Sequence, residues 1–134
     1  MNAITIPSLL AFLSYLGIGI AVLAAAIATV TVVTPHRDIT LIRQGNVAAA
    51  VAFGGALIGL ALPLHSAISH SVSLFDAAIW GAIAAVAQLL AFFVANIVGG
   101  SLSKKIAEKD LAAGILSATV SIAVGLINAA AMTP

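Results

Sequence analysis

The sequence predicts an all-α integral membrane protein, a four-helix bundle made of two tandem two-helix repeats in parallel orientation. Three observations carry that expectation. The 134-residue chain is 63% hydrophobic and only 7% charged, with a mean hydropathy of +1.25. Soluble domains carry about 25% charged residues and need them to cover their surface. Four apolar stretches each reach the roughly 20 residues that cross about 30 Å of hydrocarbon. Finally, all five basic residues fall in two short stretches, Arg37 and Arg43, then Lys104, Lys105 and Lys109.

The spans follow in order. The first ten residues hold no Lys or Arg, so the basic n-region of a cleaved signal is missing and the first apolar stretch, about 8–33, is expected to be a retained helix. Thr34-Pro35 stops it, because the residue before a proline is pushed out of the α region. Pro35 suits the first turn of a short interfacial helix capped by Thr34, with Ile39, Leu41 and Ile42 as its apolar side. The second span runs over about 46–68, with Asn46 as its N-cap. Ser69-His70-Ser71 connects it to the third span, about 74–98, which Gly99-Gly100-Ser101 ends. Asp110 caps the fourth, about 111–131. A transmembrane barrel would need alternating polar positions, and these stretches have none.

The two halves, 1–69 and 70–134, repeat at an offset of 64 residues, the distance from Asn46 to Asp110. Each has a long span, a basic loop, an Asx cap and an Ala-Ala pair. Two crossings per half insert both halves the same way up. Short basic loops stay cytoplasmic, so both termini and the 69–73 connection are expected on the periplasmic side of a multi-pass inner-membrane protein.

Polar groups inside a bilayer are candidates for function by default. Gln88 lies near the middle of the third span and needs a partner on a neighbouring helix. Asp76 stands near its outer end, one turn before Trp80, where a cap, a water-facing position or a cation-binding role are all open. Asn128, near the outer end of the fourth span, breaks the repeat, where the first half has Leu64. His36 in the first cytoplasmic loop is a candidate for docking a cytoplasmic partner. Small residues form two ladders, Gly55 and Gly59 in the second span and Ser121 and Gly125 in the fourth. They suit close helix packing within the chain, or a homo-oligomer face.

The residues Thr34-Pro35-His36, Ala52-Phe53, Gly59, Pro63-Leu64, Asp76, Trp80-Gly81, Gln88-Leu89-Leu90, Lys105-Ile106, Ala112-Ala113-Gly114 and Asn128-Ala129-Ala130 occur in one order. In this the chain resembles the YjfL-like family of small bacterial inner-membrane proteins, defined by domain of unknown function 350. The resemblance covers nearly the whole chain. It implies a four-span inner-membrane protein of two two-helix units and, since some members accompany ATP-grasp ligase-like and other envelope proteins, work inside a larger envelope system. His65 and His70 stand where the family pattern has small polar residues.

The chemistry available is sparse. With no cysteine, no Ser-His-Asp ordering, no paired carboxylates and no phosphate-cradling loop, no enzyme is expected. His65, His70 and Asp76 have zinc-compatible types but no known spacing, so neither a metal nor a cofactor is expected. A net charge of +1 speaks against nucleic acid. The expected role is a non-catalytic membrane subunit or scaffold whose basic loops meet lipid or a protein partner. The alternative is a small oligomeric transporter or channel, with Asp76, Gln88 and Asn96 as its polar groups.

Overall fold

The computed structural model describes residues 4–33, 38–98 and 102–132. Within them the chain forms six helices: α1 (Ile6–Val33), α2 (Asp38–Arg43), α3 (Val47–Ser69), α4 (Leu74–Val98), α5 (Leu102–Ala107) and α6 (Leu111–Ala131). The four long ones are those expected, and each is long and apolar enough to cross a membrane. Helix is the form these segments must take in lipid, where every backbone N–H and C=O has to be satisfied within the segment. At 28 residues, α1 is about 42 Å long, enough to tilt or project beyond the hydrocarbon.

Helix α3 is the centre of the bundle. It packs against α6 along its length, while α4 lies against both and α1 lies against α3 and α4. Added Cβ atoms at Gly114, Gly55 and Gly125 would strike Ala48, Ala118 and Gly59 respectively. Farther along, Ser66 Oγ donates to the Ala129 carbonyl at 2.9 Å. The partners advance together along both helices, so α3 and α6 run parallel. Backbones come this close because small residues remove the side chains that would hold them apart. Pro63 lies inside α3 and has no N–H to offer the Gly59 carbonyl one turn earlier. That carbonyl is the atom Gly125 approaches.

The connections before α3 and α6 share one geometry at the 64-residue offset. The Asn46 and Asp110 N–H groups donate to Leu41 and Lys105 carbonyls at 3.0 and 2.9 Å. Gly45 and Lys109 N–H groups donate to Ile42 and Ile106 carbonyls, both at 3.0 Å. Gly45 (φ 83°) and Lys109 (φ 66°) both take the left-handed conformation, which glycine adopts freely and lysine only at a cost. The Asn46 and Asp110 side chains then cap α3 and α6 by accepting from Ala49 N and Ala113 N.

One detail differs from the sequence reading, and another lies partly outside the described residues. The short helix in the first loop is described over Asp38–Arg43, and its expected Thr34 cap and Pro35 turn lie outside the described residues. A second short helix, α5, was not expected. It forms because Leu102 and Ile106 fall one turn apart and bury together against Ala48, Ala49, Ala52 and Ala113, with Leu41 and Ile42 beside them. Both basic connections thus meet at one end of the bundle.

Candidate functional site

The polar groups of the bundle interior gather where α3, α4 and α6 meet. Gln88 projects from α4 and is fully buried. Its Nε2 donates to the Ser121 carbonyl of α6 at 2.8 Å, beside Gly59 of α3, where an added Cβ would lie 2.9 Å from that nitrogen. The Ser121 carbonyl fixes the amide's orientation, since a flipped amide would set oxygen against oxygen. Ser121 Oγ turns back to the Ser117 carbonyl at 2.8 Å. This leaves Gln88 Oε1 buried with no hydrogen-bond partner.

One turn toward the start of α4, the direction reverses. Asn128 of α6 donates through Nδ2 to the Ala84 carbonyl of α4 at 3.2 Å. Each helix therefore sends one amide to the other's backbone. The Ser66 bond to Ala129 joins α3 to α6 near the same end. Bonds of this kind contribute about 0.6–2 kcal/mol each in a membrane. They also define which faces meet, which a purely apolar contact does poorly.

The remaining candidates lie away from this junction. Asp76 is a cap: its Oδ2 accepts from Val72 N at 3.1 Å, while Ser73 Oγ accepts from Asp76 N at 3.1 Å. Asn96, at the opposite end of α4, accepts from the N–H and hydroxyl of Ser103 in α5, both at 3.2 Å. Asp76, Gln88 and Asn96 are thus bonded to separate partners. His65 is exposed, and His70 Nδ1 lies 2.9 Å from the Ser66 carbonyl. Among the described residues no three His, Cys, Asp or Glu side chains are grouped to hold a metal. His36 lies outside the described residues. Gly55, Gly59, Ser121 and Gly125 all lie on the α3–α6 contact.

At the basic end one polar contact was not foreseen. The Asn46 side chain, besides capping α3, donates through Nδ2 to the Ile106 carbonyl at 2.9 Å. It ties the two basic connections together and is buried, whereas its counterpart Asp110 is exposed. The signal was present in the residue types, because an amide has a donor to share and a carboxylate has none. A small apolar cavity of about 10 Å³ lies between Val22 and Ala26 of α1, Leu60 and Leu64 of α3, and Gly81 and Ala85 of α4. It has room for no more than a water and offers no polar wall to hold one.

Comparison with known proteins places this arrangement. The family described as Domain of Unknown Function (DUF350) matches residues 4–132. The UPF0719 inner membrane protein YjfL of Escherichia coli (strain K12) is 41% identical over 128 residues, 96% of this chain and 97% of that protein. The UPF0719 transmembrane protein YshE of Bacillus subtilis (strain 168) is 25% identical over 119 residues, 87% and 89% of the two chains. No solved structure matches.

Proposed function

The chain belongs to the DUF350 family, and from that premise we propose that this multi-pass inner-membrane protein is a non-catalytic subunit or scaffold of an envelope system. The observation that carries the reading is the use of its intramembrane amides. Gln88 and Asn128 each donate to the backbone of the helix opposite, so these amides hold helices together. A carrier needs a group that binds and releases its cargo near the bilayer centre, and Gln88 is an uncharged amide whose nitrogen is bonded to the Ser121 carbonyl.

The docking surface of this subunit is the end of the bundle where the basic connections meet. Arg43, Lys104, Lys105 and Lys109 are exposed there, held by the Asn46 bond to Ile106. The positive-inside rule puts that end in the cytoplasm and both termini outside. Purification in mild detergent with mass spectrometry of co-purifying proteins tests the role. A partner is expected with the native chain and lost with neutral replacements at Arg43, Lys104 and Lys105. Partners that remain bound to the neutral variant would sink the docking-surface reading.

A second reading draws on one atom. The unpartnered Gln88 Oε1 is the kind of acceptor a channel would turn to a permeating solute. Under that reading, proteoliposomes conduct and Gln88→Leu abolishes the flux. Under the scaffold reading there is no flux to abolish.

A further inference from the structure

The contact between the two halves of the chain is head-to-tail, and its unused ends are open. Helix α6 meets α3 through Gly114, Ala118, Ser121 and Gly125. Subtracting the 64-residue offset carries these positions to Ala50, Gly54, Leu57 and Ala61 of α3, which are exposed or half-buried. A Cβ on Gly54 would meet nothing within 4 Å. Conversely, α3 meets α6 through Ala48, Gly55 and Gly59, and the same offset carries these to Ala112, Thr119 and Ala123 of α6, all exposed. Neither helix uses its own copy of the face its partner uses. A two-fold contact would use the same face on both; this one is heterologous.

The outer helices repeat the pattern. On α4, Ala77 is 0% and Ala84 1% exposed, whereas their counterparts on α1, Leu13 and Ile20, are 50% and 58% exposed. Gly81 is buried, and its counterpart Gly17 has open space where a Cβ would stand. The second half thus seats a surface on the first half, while the first half's copy of that surface is free. The second half's copy of the seat is free as well.

We infer that a second copy of this chain occupies the free seat, its first half packing on the second half of its neighbour as the two halves pack within one chain. The residue types fit this continuation. Within the chain Gly55 admits Ala118. At the open ends the pair is Thr119 and Gly54, so the glycine has moved to the other side and the larger residue with it. One turn on, Gly59 and Ser121 become Ala123 and Leu57. A leucine over an alanine holds the helices farther apart there, so the contact between copies is closest at Gly54.

The geometry also keeps the copies in one bilayer. Reduced by the offset, the contacting positions are 48 with 50, 55 with 54, and 66 with 65, so a step between halves turns about the membrane normal with almost no rise. Repetition of that step gives a ring or an in-plane row, according to the turn per step. Such self-association is independent of any docking partner, and either could fail alone.

The chain has no native cysteine, so engineered pairs report cleanly. Gly54→Cys and Thr119→Cys, placed in separate copies and mixed in one membrane, are expected to form a disulfide-linked dimer on oxidation. Both changes in one chain are expected to give a ladder of dimers, trimers and higher species. Each single variant alone is expected to stay monomeric. A mixture that stays monomeric would overturn the inference, as would a single variant that dimerises alone, because that contact is isologous. Gly54→Phe enters open space in the isolated chain and should leave it folded. It is expected to lower energy transfer between labelled copies in liposomes at least tenfold, and unchanged transfer would equally overturn the inference.

Discussion

Asn46 and Asp110 show how much one atom decides. Both accept from the backbone N–H three residues on, and an N-cap of this type contributes about 1 kcal/mol. Only Asn46 adds a donor, and it spends that donor on the buried Ile106 carbonyl. Asn46→Asp keeps the cap but sets oxygen against oxygen in a buried site. It is expected to destabilise the fold by about 1–3 kcal/mol, read in a reversible detergent-unfolding titration. Asp110→Asn keeps its cap at an exposed position and should stay within about 0.5 kcal/mol of the parent. Equal costs for the two changes would show that the bond to Ile106 contributes nothing. Gln88 was recognisable in the sequence as an amide needing a partner, but its choice of Ser121 depends on which face of α6 arrives beside it.

Between elements, the decisive contact is α3 on α6. The two glycines Gly54 and Gly55 are neighbours in sequence and opposite in consequence. An added methyl at Gly55 runs into the backbone of Ala118, and one at Gly54 meets open space. Gly55→Ala is therefore expected to cost about 1–3 kcal/mol through overpacking against backbone that cannot yield. Gly54→Ala should leave the stability of the single chain unchanged or slightly raised, since alanine is the better helix former by about 1 kcal/mol. Thermal unfolding of the two variants in detergent, at a concentration where the chain is monomeric, separates them. A Gly54→Ala variant as unstable as Gly55→Ala would mean that the α3–α6 contact uses another face. The small-residue ladder read from the sequence as either internal packing or an oligomer face lies on the contact within the chain, with Gly55 and Gly59 facing α6; Gly54, which was not part of that ladder, faces outward.

For the whole molecule, the asymmetry of charge and the meeting of α2 and α5 at one end are what the proposed topology, with the basic end inside, rests on. A reporter enzyme active only in the cytoplasm is expected to stay silent when fused after Pro134 and to work when inserted between Lys105 and Glu108. Activity at Pro134 would reverse the orientation. The spans were legible because hydropathy, charge and cap residues are properties of the chain taken in order. α4 and α6 occupy the ranges the sequence predicts, and α1 and α3 differ from them by one or two residues at their ends. The helix α5 was not legible, because six residues are too few to form a helix on their own whatever their preference. Leu102 and Ile106 order there only once the alanines of α3 and α6 supply a surface.

The sequence by itself determined that the chain lives in a membrane and carries four helices long and apolar enough to cross it, because lipid acts on each segment independently. Which faces meet was decided by the tertiary structure alone. The long helices are apolar on every side and carry small residues on more than one face, so no stripe of hydrophobicity selects a partner. The choice falls to the closest approach of two backbones, at Gly55 with Ala118 and at Gly125 with Gly59, and to the amides of Gln88 and Asn128 that lock it.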